Sequence, residues 1–177
     1  MNSKYAFNEI KTLAEIKGFA SAQYQLGFFY FHNFKKRFGI ERDPVKAVEW
    51  YQKAAIQGHL MAQYRLAVCY FDGIGIDASA KEAFKWFKKS AESGFNESQR
   101  RLASCYYNGW GTRKNYKKSA EWHMIALRND PIVDEIKELI TFERSLEGKL
   151  IIKAIHTSVY GDIEGSFTGR VLTGNWD

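Results

Sequence analysis

Ala47-Val-Glu-Trp50-Tyr-Gln-Lys-Ala54-Ala55-Ile-Gln-Gly58-His-Leu-Met-Ala62-Gln-Tyr-Arg-Leu66 is a pattern that the chain repeats. Trp50 returns as Trp86 and again as Trp122, each time after 36 residues, and the same step carries Gly58 to Gly94 and Leu66 to Leu102. Backwards the step is 40 residues, from Gly58 to Gly18 and from Leu66 to Leu26. The extra four fall in the segment between Tyr30 and Ala47. A period near 36 marks a helical solenoid, in which each repeat is one supersecondary unit that buries its apolar face only against its neighbours.

The rest of the composition agrees with an ordered body. Of 177 residues, 45% are apolar and 16% aromatic, and only two are proline, which argues against disorder. No run reaches the ~18 apolar residues of a membrane-spanning helix. The start, Met1-Asn-Ser-Lys-Tyr-Ala-Phe-Asn-Glu9, is polar and acidic where a signal peptide needs an apolar block, so the chain reads as cytoplasmic. Cys69 and Cys105 also stand 36 apart, in one position of successive repeats. Equivalent helices about 10 Å apart exceed the ~7 Å Cα limit of a disulfide, so both read as buried free thiols.

Taken in order, residues 1–17 read as a half-repeat cap. Thr12-Leu-Ala-Glu15 has the form of a capping box, but Phe7, Ile10 and Ala14 are spaced for one amphipathic helix ending near Lys17. Repeat one (19–58) has a first helix from about Ala20 to Phe31, with Ala22, Leu26, Phe29 and Tyr30 inward. The longer loop follows, and Asp43-Pro44 then opens a second helix, an N-cap followed by proline at the first helical position. Ala47, Val48, Tyr51, Ala54 and Ala55 form its buried stripe. Repeat two (59–94) buries Ala62, Leu66, Cys69 and Tyr70, turns at Asp72-Gly-Ile-Gly75, and restarts at a capping box, Ser79-Ala-Lys-Glu82, ahead of Ala83, Phe84, Phe87 and Ala91.

Repeat three (95–130) departs from the plan. Ser98 replaces an alanine, His123 stands where Tyr51 and Phe87 stood, and Met124-Ile125 replace Gln52-Lys53 and Lys88-Lys89. Apolar residues on a solvent-facing stripe need a cover, and the carboxy-terminal segment is the chain available. Its Asp130-Pro131 start and the stripe Ile132, Ile136, Leu139, Ile140 suggest a capping helix over 131–148. The tail 149–177 is β-branched around Leu150–Tyr160 and turn-like at Gly161–Gly165, which reads as a short β-hairpin or a last helical stretch.

Ala22-Gln-Tyr-Gln-Leu-Gly-Phe-Phe-Tyr30, Trp50-Tyr-Gln-Lys-Ala-Ala55, Gly58-His-Leu-Met-Ala62-Gln63 and Gly73-Ile-Gly75 resemble the Sel-one-like repeat (SLR), a relative of the tetratricopeptide repeat. The resemblance covers about residues 14–130, three times over. It implies an all-α fold, a right-handed α/α solenoid superhelix of about three repeats with helical caps over 1–148. It also implies first helices along a concave surface, and an adaptor or scaffold rather than an enzyme. Secreted members with a disulfide in each repeat are a poor match, because each repeat here lacks the second cysteine.

Catalytic patterns are missing from the sequence: there is no His-Glu-x-x-His, Cys-x-x-Cys, Gly-x-Ser-x-Gly or Ser-x-x-Lys. His59 and His123 fall at structural positions of the repeat. Gly73-Ile-Gly75 and Gly109-Trp-Gly111 recur at the repeat period and so are turns, not phosphate loops. No metal or cofactor is expected. The expected partner-binding surface is the outward side of the first helices: Tyr24, Gln25 and Phe28; Tyr64, Arg65 and Val68; Arg100, Arg101, Ser104 and Tyr107. Phe31 and Phe71 share these columns. Tyr, Phe and Arg are the residues that dominate binding energy at protein interfaces.

A net charge of +6, with Lys35, Lys36 and Arg37 in the inserted loop, points to a protein partner with an acidic face. Lys81, Lys85 and Lys88 read as a solvated convex face. The most concrete expectation is an immunity or antitoxin-like protein bound to a toxin, since a short chain with no effector domain has binding as its task. A regulatory adaptor is the second reading. Nucleic acid is the third, resting on arginine and tyrosine together without a visible base-reading code.

Overall fold

The computed structural model describes residues 3–128, apart from the side chains of Ser3, Lys4, Lys36 and Arg37. The expected capping helix over 131–148 and the hairpin of the tail lie outside the described residues. Those that are described form eight helices: α1 (Ser3–Glu15), α2 (Ala20–Phe31), α3 (Lys35–Phe38), α4 (Pro44–Ile56), α5 (Leu60–Asp72), α6 (Ala80–Glu92), α7 (Asn96–Asn108) and α8 (Tyr116–Arg128). Each repeat is an antiparallel pair, α2 with α4, α5 with α6 and α7 with α8. The pairs stack in chain order through α4 on α5 and α6 on α7, and α1 lies on α2. This is an all-α solenoid.

The stripe on the second helices is buried as its spacing requires. Ala47, Val48, Tyr51, Ala54 and Ala55 are inside, as are Ala83, Phe87 and Ala91. Asp43 caps α4 by accepting the Lys46 amide at 3.0 Å. Ser79 likewise accepts the Glu82 amide at 3.3 Å, but only this half of the expected capping box forms. The Ser79 amide donates to the Tyr70 carbonyl instead, at 2.8 Å, while Glu82 pairs with Lys85. That backbone clip is itself periodic, from Asp43 to Tyr30, Ser79 to Tyr70 and Asn115 to Tyr106, each at 2.8 Å. It fixes where the second helix starts against the end of the first, whatever the length of the loop between them.

A second periodic device joins each repeat to the one before. Gln63 Nε2 donates to the Ala55 carbonyl at 3.1 Å and Gln99 Nε2 to Ala91 at 3.3 Å. Gln23 makes the same bond to Ala14 of α1 at 3.5 Å. These carbonyls lie at helix C-termini, and those of Ala55 and Ala91 already accept the Gly58 and Gly94 amides at 3.0 Å, so the glutamine takes up further acceptor capacity there and satisfies its own buried amide. The bond also assigns α1 its role, since it presents to Gln23 what α4 and α6 present to the later glutamines. The Thr12 hydroxyl lies inside α1 and donates back to the Asn8 carbonyl, so no helix starts there.

Two glycines hold the stack shut. A Cβ on Gly75 would lie 2.3 Å from the Pro44 carbonyl oxygen, and one on Gly111 would lie 2.0 Å from that of Ala80. Each turn therefore presses its backbone onto the start of the previous second helix. Where repeat three departs with Ser98, its partner position departs too. Ser98 donates to Ser90 Oγ at 2.8 Å and Ser90 to the Leu60 carbonyl at 3.1 Å, so the buried hydroxyls are satisfied.

Candidate functional site

The candidate surface is the side of α2, α5 and α7 that faces away from the second helices. Its first position is not available for binding. Tyr24 is only 9% exposed, its ring stacked on His59 at 4.7 Å and tilted against Tyr51 at 5.9 Å. Tyr64 repeats this one unit on, half-buried between Phe87 at 6.0 Å and Phe95 at 5.4 Å. The expectation that Tyr24 lines the groove is therefore corrected. This position fills the wedge between its own second helix and the start of the next repeat. In repeat three the place is taken by Arg100, which pairs with Glu97 on its own helix at 3.3 Å.

The remaining expected residues divide into two groups. Gln25 and Arg101 are exposed, and Phe28, Arg65 and Val68 are half-buried. Ser104 turns back on its own helix and donates to the Arg100 carbonyl at 3.2 Å. Tyr107 sits edge-on to Tyr116 at 5.3 Å, both rings reaching solvent. Lys35 is exposed and paired with Glu41 at 2.6 Å, while the side chains of Lys36 and Arg37 lie outside the described residues.

Two clusters emerge that the sequence reading did not assemble. One is a small pocket lined by Val68, Phe71, Asp72, Phe87, Arg101, Cys105 and Trp110. Trp110 packs edge-on to Phe71 at 5.0 Å and is partly exposed. The signal for it was a substitution in the turn, Gly109-Trp-Gly111 in place of Gly73-Ile-Gly75. The other cluster is aromatic and lies under the inserted loop. Phe29 touches Phe7, Phe34 and Phe38 at 5.1 to 5.4 Å, while Phe28 rests on His32 at 4.3 Å. Phe34 also bridges Ile40, closing the loop on itself. The insertion is thus a small built subdomain seated on α2, with short α3 inside it.

Nothing in this surface is arranged for chemistry. The cysteines are buried and free, and burial pushes the Cys69 thiol up to about 11 and Cys105 to about 12, which keeps both protonated and inert. His59 accepts the Ala62 amide through Nδ1 at 3.2 Å, as the N-cap of α5. His123 Nδ1 lies 3.1 Å from the Ser119 carbonyl of its own helix. Among the described residues, no group of three His, Cys, Asp or Glu side chains could hold a metal ion, and no helix is long and apolar enough to cross a membrane.

Comparison with known proteins agrees with this geometry. The model of the Sel1 repeat matches residues 20–59, 60–95 and 96–129. Among solved structures, a protective antigen present in uropathogenic Escherichia coli strains, which displays an SLR fold, is 32% identical with a TM-score of 0.68. The match covers 73% of this chain and 27% of that one. A Sel1 repeat protein from Oxalobacter formigenes is 32% identical with a TM-score of 0.64, over 72% of this chain and 50% of the other. The chain thus matches about a quarter and a half of the lengths of these two structures. No curated protein matches it. Solenoids of this repeat are generally protein–protein interaction modules and typically non-enzymatic. With three consecutive matches over well more than half of its residues, the chain belongs to the Sel1 repeat family.

Proposed function

We propose that this protein binds one cognate protein through the α2, α5 and α7 face, in the manner of an immunity or antitoxin protein that occupies a toxin. The observation that carries the reading is the contrast between a strictly periodic scaffold and an aperiodic face. The glutamine bonds, backbone clips and turn glycines repeat from unit to unit. The outward positions do not: Gln25 is followed by Arg65 and Arg101, and Phe28 by Val68 and Ser104. Only Arg65 and Arg101 match among these; a face that differs at most of its steps fits one contour, whereas a repeating ligand would favour a repeating face. Arg65 and Arg101 have no carboxylate partner among the described residues, which suits a partner with an acidic surface.

Co-purification from the native cell tests this directly. One protein bound one-to-one, whose toxicity the chain suppresses, supports the immunity reading. Several stably associated components would instead make the chain a regulatory adaptor. Changing Arg65 and Arg101 together to alanine should weaken the one-to-one complex by about 2 kcal/mol or more, as expected of interface anchors. An unchanged affinity would remove this face from the interface.

A further inference from the structure

At the repeat-one end of this face, two arginines gather beside a histidine with no carboxylate paired to them among the described residues. The His32 ring is held among Phe28, Phe31 and Phe34 at centroid distances of 4.3, 5.2 and 6.1 Å. Its Nε2 is buried and has no hydrogen-bond partner. Arg42 lies over the Phe31 ring at 5.9 Å and donates through Nε to the Phe31 carbonyl at 3.2 Å, which leaves its terminal nitrogens uncommitted. Arg65 comes from α5, half-buried against the Tyr64 ring at 5.9 Å. Burial first, then the Arg65 and Arg42 guanidiniums, hold the imidazole below its ordinary range.

The two acids flanking Arg42 are engaged elsewhere, and Asp72, on the helix of Arg65, forms no ion pair with either arginine among the described residues. Arg42 stands between Glu41 and Asp43 in sequence, yet Glu41 pairs with Lys35 at 2.6 Å and Asp43 with Lys46 at 2.9 Å. Neither arginine pairs with a carboxylate among the described residues. Two guanidiniums on one aromatic-walled, partly desolvated patch repel each other, and the neutral imidazole between the rings keeps an unsatisfied nitrogen, until an anion joins them. We propose that His32, Arg42 and Arg65 form a carboxylate-receiving site, filled in the complex by an aspartate or glutamate side chain of the partner protein. Arg supplies the paired N–H donors that a carboxylate accepts, and the phenylalanine rings keep water from competing.

A protein carboxylate fits better than a nucleic-acid backbone because the grouping of His32 with two arginines does not recur along the face. One repeat on, the place of His32 is taken by Asp72 and that of Arg42 by Ala78. Asp72 lines the same pocket as Arg101, so the second arginine already has an acid nearby. A track for successive phosphates would be cationic without interruption, whereas here Arg101 continues the column of Arg65 only with Asp72 lining the same pocket.

The site rests on the reading that the partner is a protein bound to this face, and the test separates the two. The probe is fluorescein-labelled hexaglutamate, followed by anisotropy at low salt, with a single-stranded DNA dodecamer as competitor. Arg42→Gln/Arg65→Gln should weaken peptide binding by at least about tenfold. Lys81→Gln/Lys117→Gln removes the same charge from exposed sites elsewhere and should change it by less than about twofold. The imidazole proton signals of His32 should shift on titration of the unaltered protein and stay still in the arginine variant, with thermal melts confirming that both variants are folded. Equal losses in the two variants, an unmoved His32, or tighter binding of the DNA would each overturn the site. If Arg42→Gln/Arg65→Gln still retains the native partner one-to-one, the site fails and the binding-protein reading stands. If the peptide results hold and no partner co-purifies, the binding-protein reading fails and the site stands.

Discussion

Repeats one and three are built on the same backbone plan and solve its packing differently. In repeat one the first helix has Gly27 against Tyr51 of the second, in repeat two Ala67 and Phe87 share one core cluster, and in repeat three the equivalent positions hold Ala103 and His123. A Cβ on Gly27 would lie 2.7 Å from the Tyr51 ring, so the larger side chain on one helix is met by none on the other. The joints to the following unit differ as well. Tyr24 reaches forward to His59 and Tyr64 to Phe95, but Arg100 folds back onto Glu97 of its own helix. In repeat three the aromatic ring at this position is replaced by a charged side chain. The solenoid is therefore held by joints, and the repeats differ in how much each joint carries.

The largest effect should come from the turns that press on the preceding unit. Gly111→Ala places a Cβ 2.0 Å from a backbone oxygen at a φ of 67° that side chains rarely adopt. Gly75→Ala meets a carbonyl at 2.3 Å with a φ of 73°. Each should cost about 3 kcal/mol or more, overpacking added to left-handed strain. Gly94→Ala has a φ of 94° and nothing within 4 Å, so it should cost only about 1 kcal/mol in the same urea titration. Equal losses at Gly94 and Gly111 would mean that the turns are not clamped onto their neighbours.

Next in size are the forward joints. Tyr24→Ala should cost about 3 kcal/mol, since it empties a buried wedge between two repeats, and Tyr64→Ala about 2 kcal/mol. The same series, read by affinity for the partner, distinguishes packing from binding. Once refolded material is compared, Tyr24→Ala should bind as tightly as the unaltered protein, because that ring is not on the surface.

Much of the fold was legible because the repeat writes it three times. Trp50, Trp86 and Trp122 fixed the period, and the alanines beside them fixed the buried stripe. The role of Gln23, Gln63 and Gln99 was less visible. A polar residue at a core position shows its purpose only when the carbonyl it reaches is known. Tyr24 was misplaced for a related reason. Helical spacing says which way a side chain leaves its own helix, and whether the next unit is already standing there is a fact of stacking. His32 and Arg42 escaped notice because the inserted loop has no counterpart in the other repeats, so periodicity is silent on it. The Trp110 pocket was marked in the sequence, but as a turn residue out of character and not as a wall.

A smaller effect tests the exchange of volume between helices in repeat one. The Tyr51 hydroxyl is buried and unpartnered, and burial pushes its ionisation well above the usual tyrosine range. Tyr51→Phe, the residue of repeat two, should therefore leave stability unchanged or raise it by about 1 kcal/mol. Gly27→Ala alone should cost about 2 kcal/mol through the clash with the ring. Combined, the two changes recreate the pairing of Ala67 with Phe87, and the double variant should recover at least about half of that loss as coupling energy. Strict additivity would show that the two positions do not share one space.

The smallest effect separates the two forward joints by pH. His59 caps α5 only while Nδ1 is free to accept the Ala62 amide, and burial lowers its pKa below the ordinary 6.5. The unfolded chain then binds the proton more readily than the folded one, so this contribution is complete above about pH 6.5 and declines as pH falls through the folded value. His32, also lowered, adds loss in the same window. The joint between repeats two and three has Phe95 in this place, with no side-chain cap and nothing to titrate. His59→Asn keeps a capping acceptor at every pH, so between pH 7 and 5 it should lose less stability than the unaltered protein. The difference should be about 0.5 to 1 kcal/mol, the worth of one N-cap. Amide exchange should place the acid-sensitive opening at the start of α5, leaving the start of α7 unchanged. Opening at α7 instead would show that the acid-labile joint is not the one that His59 closes.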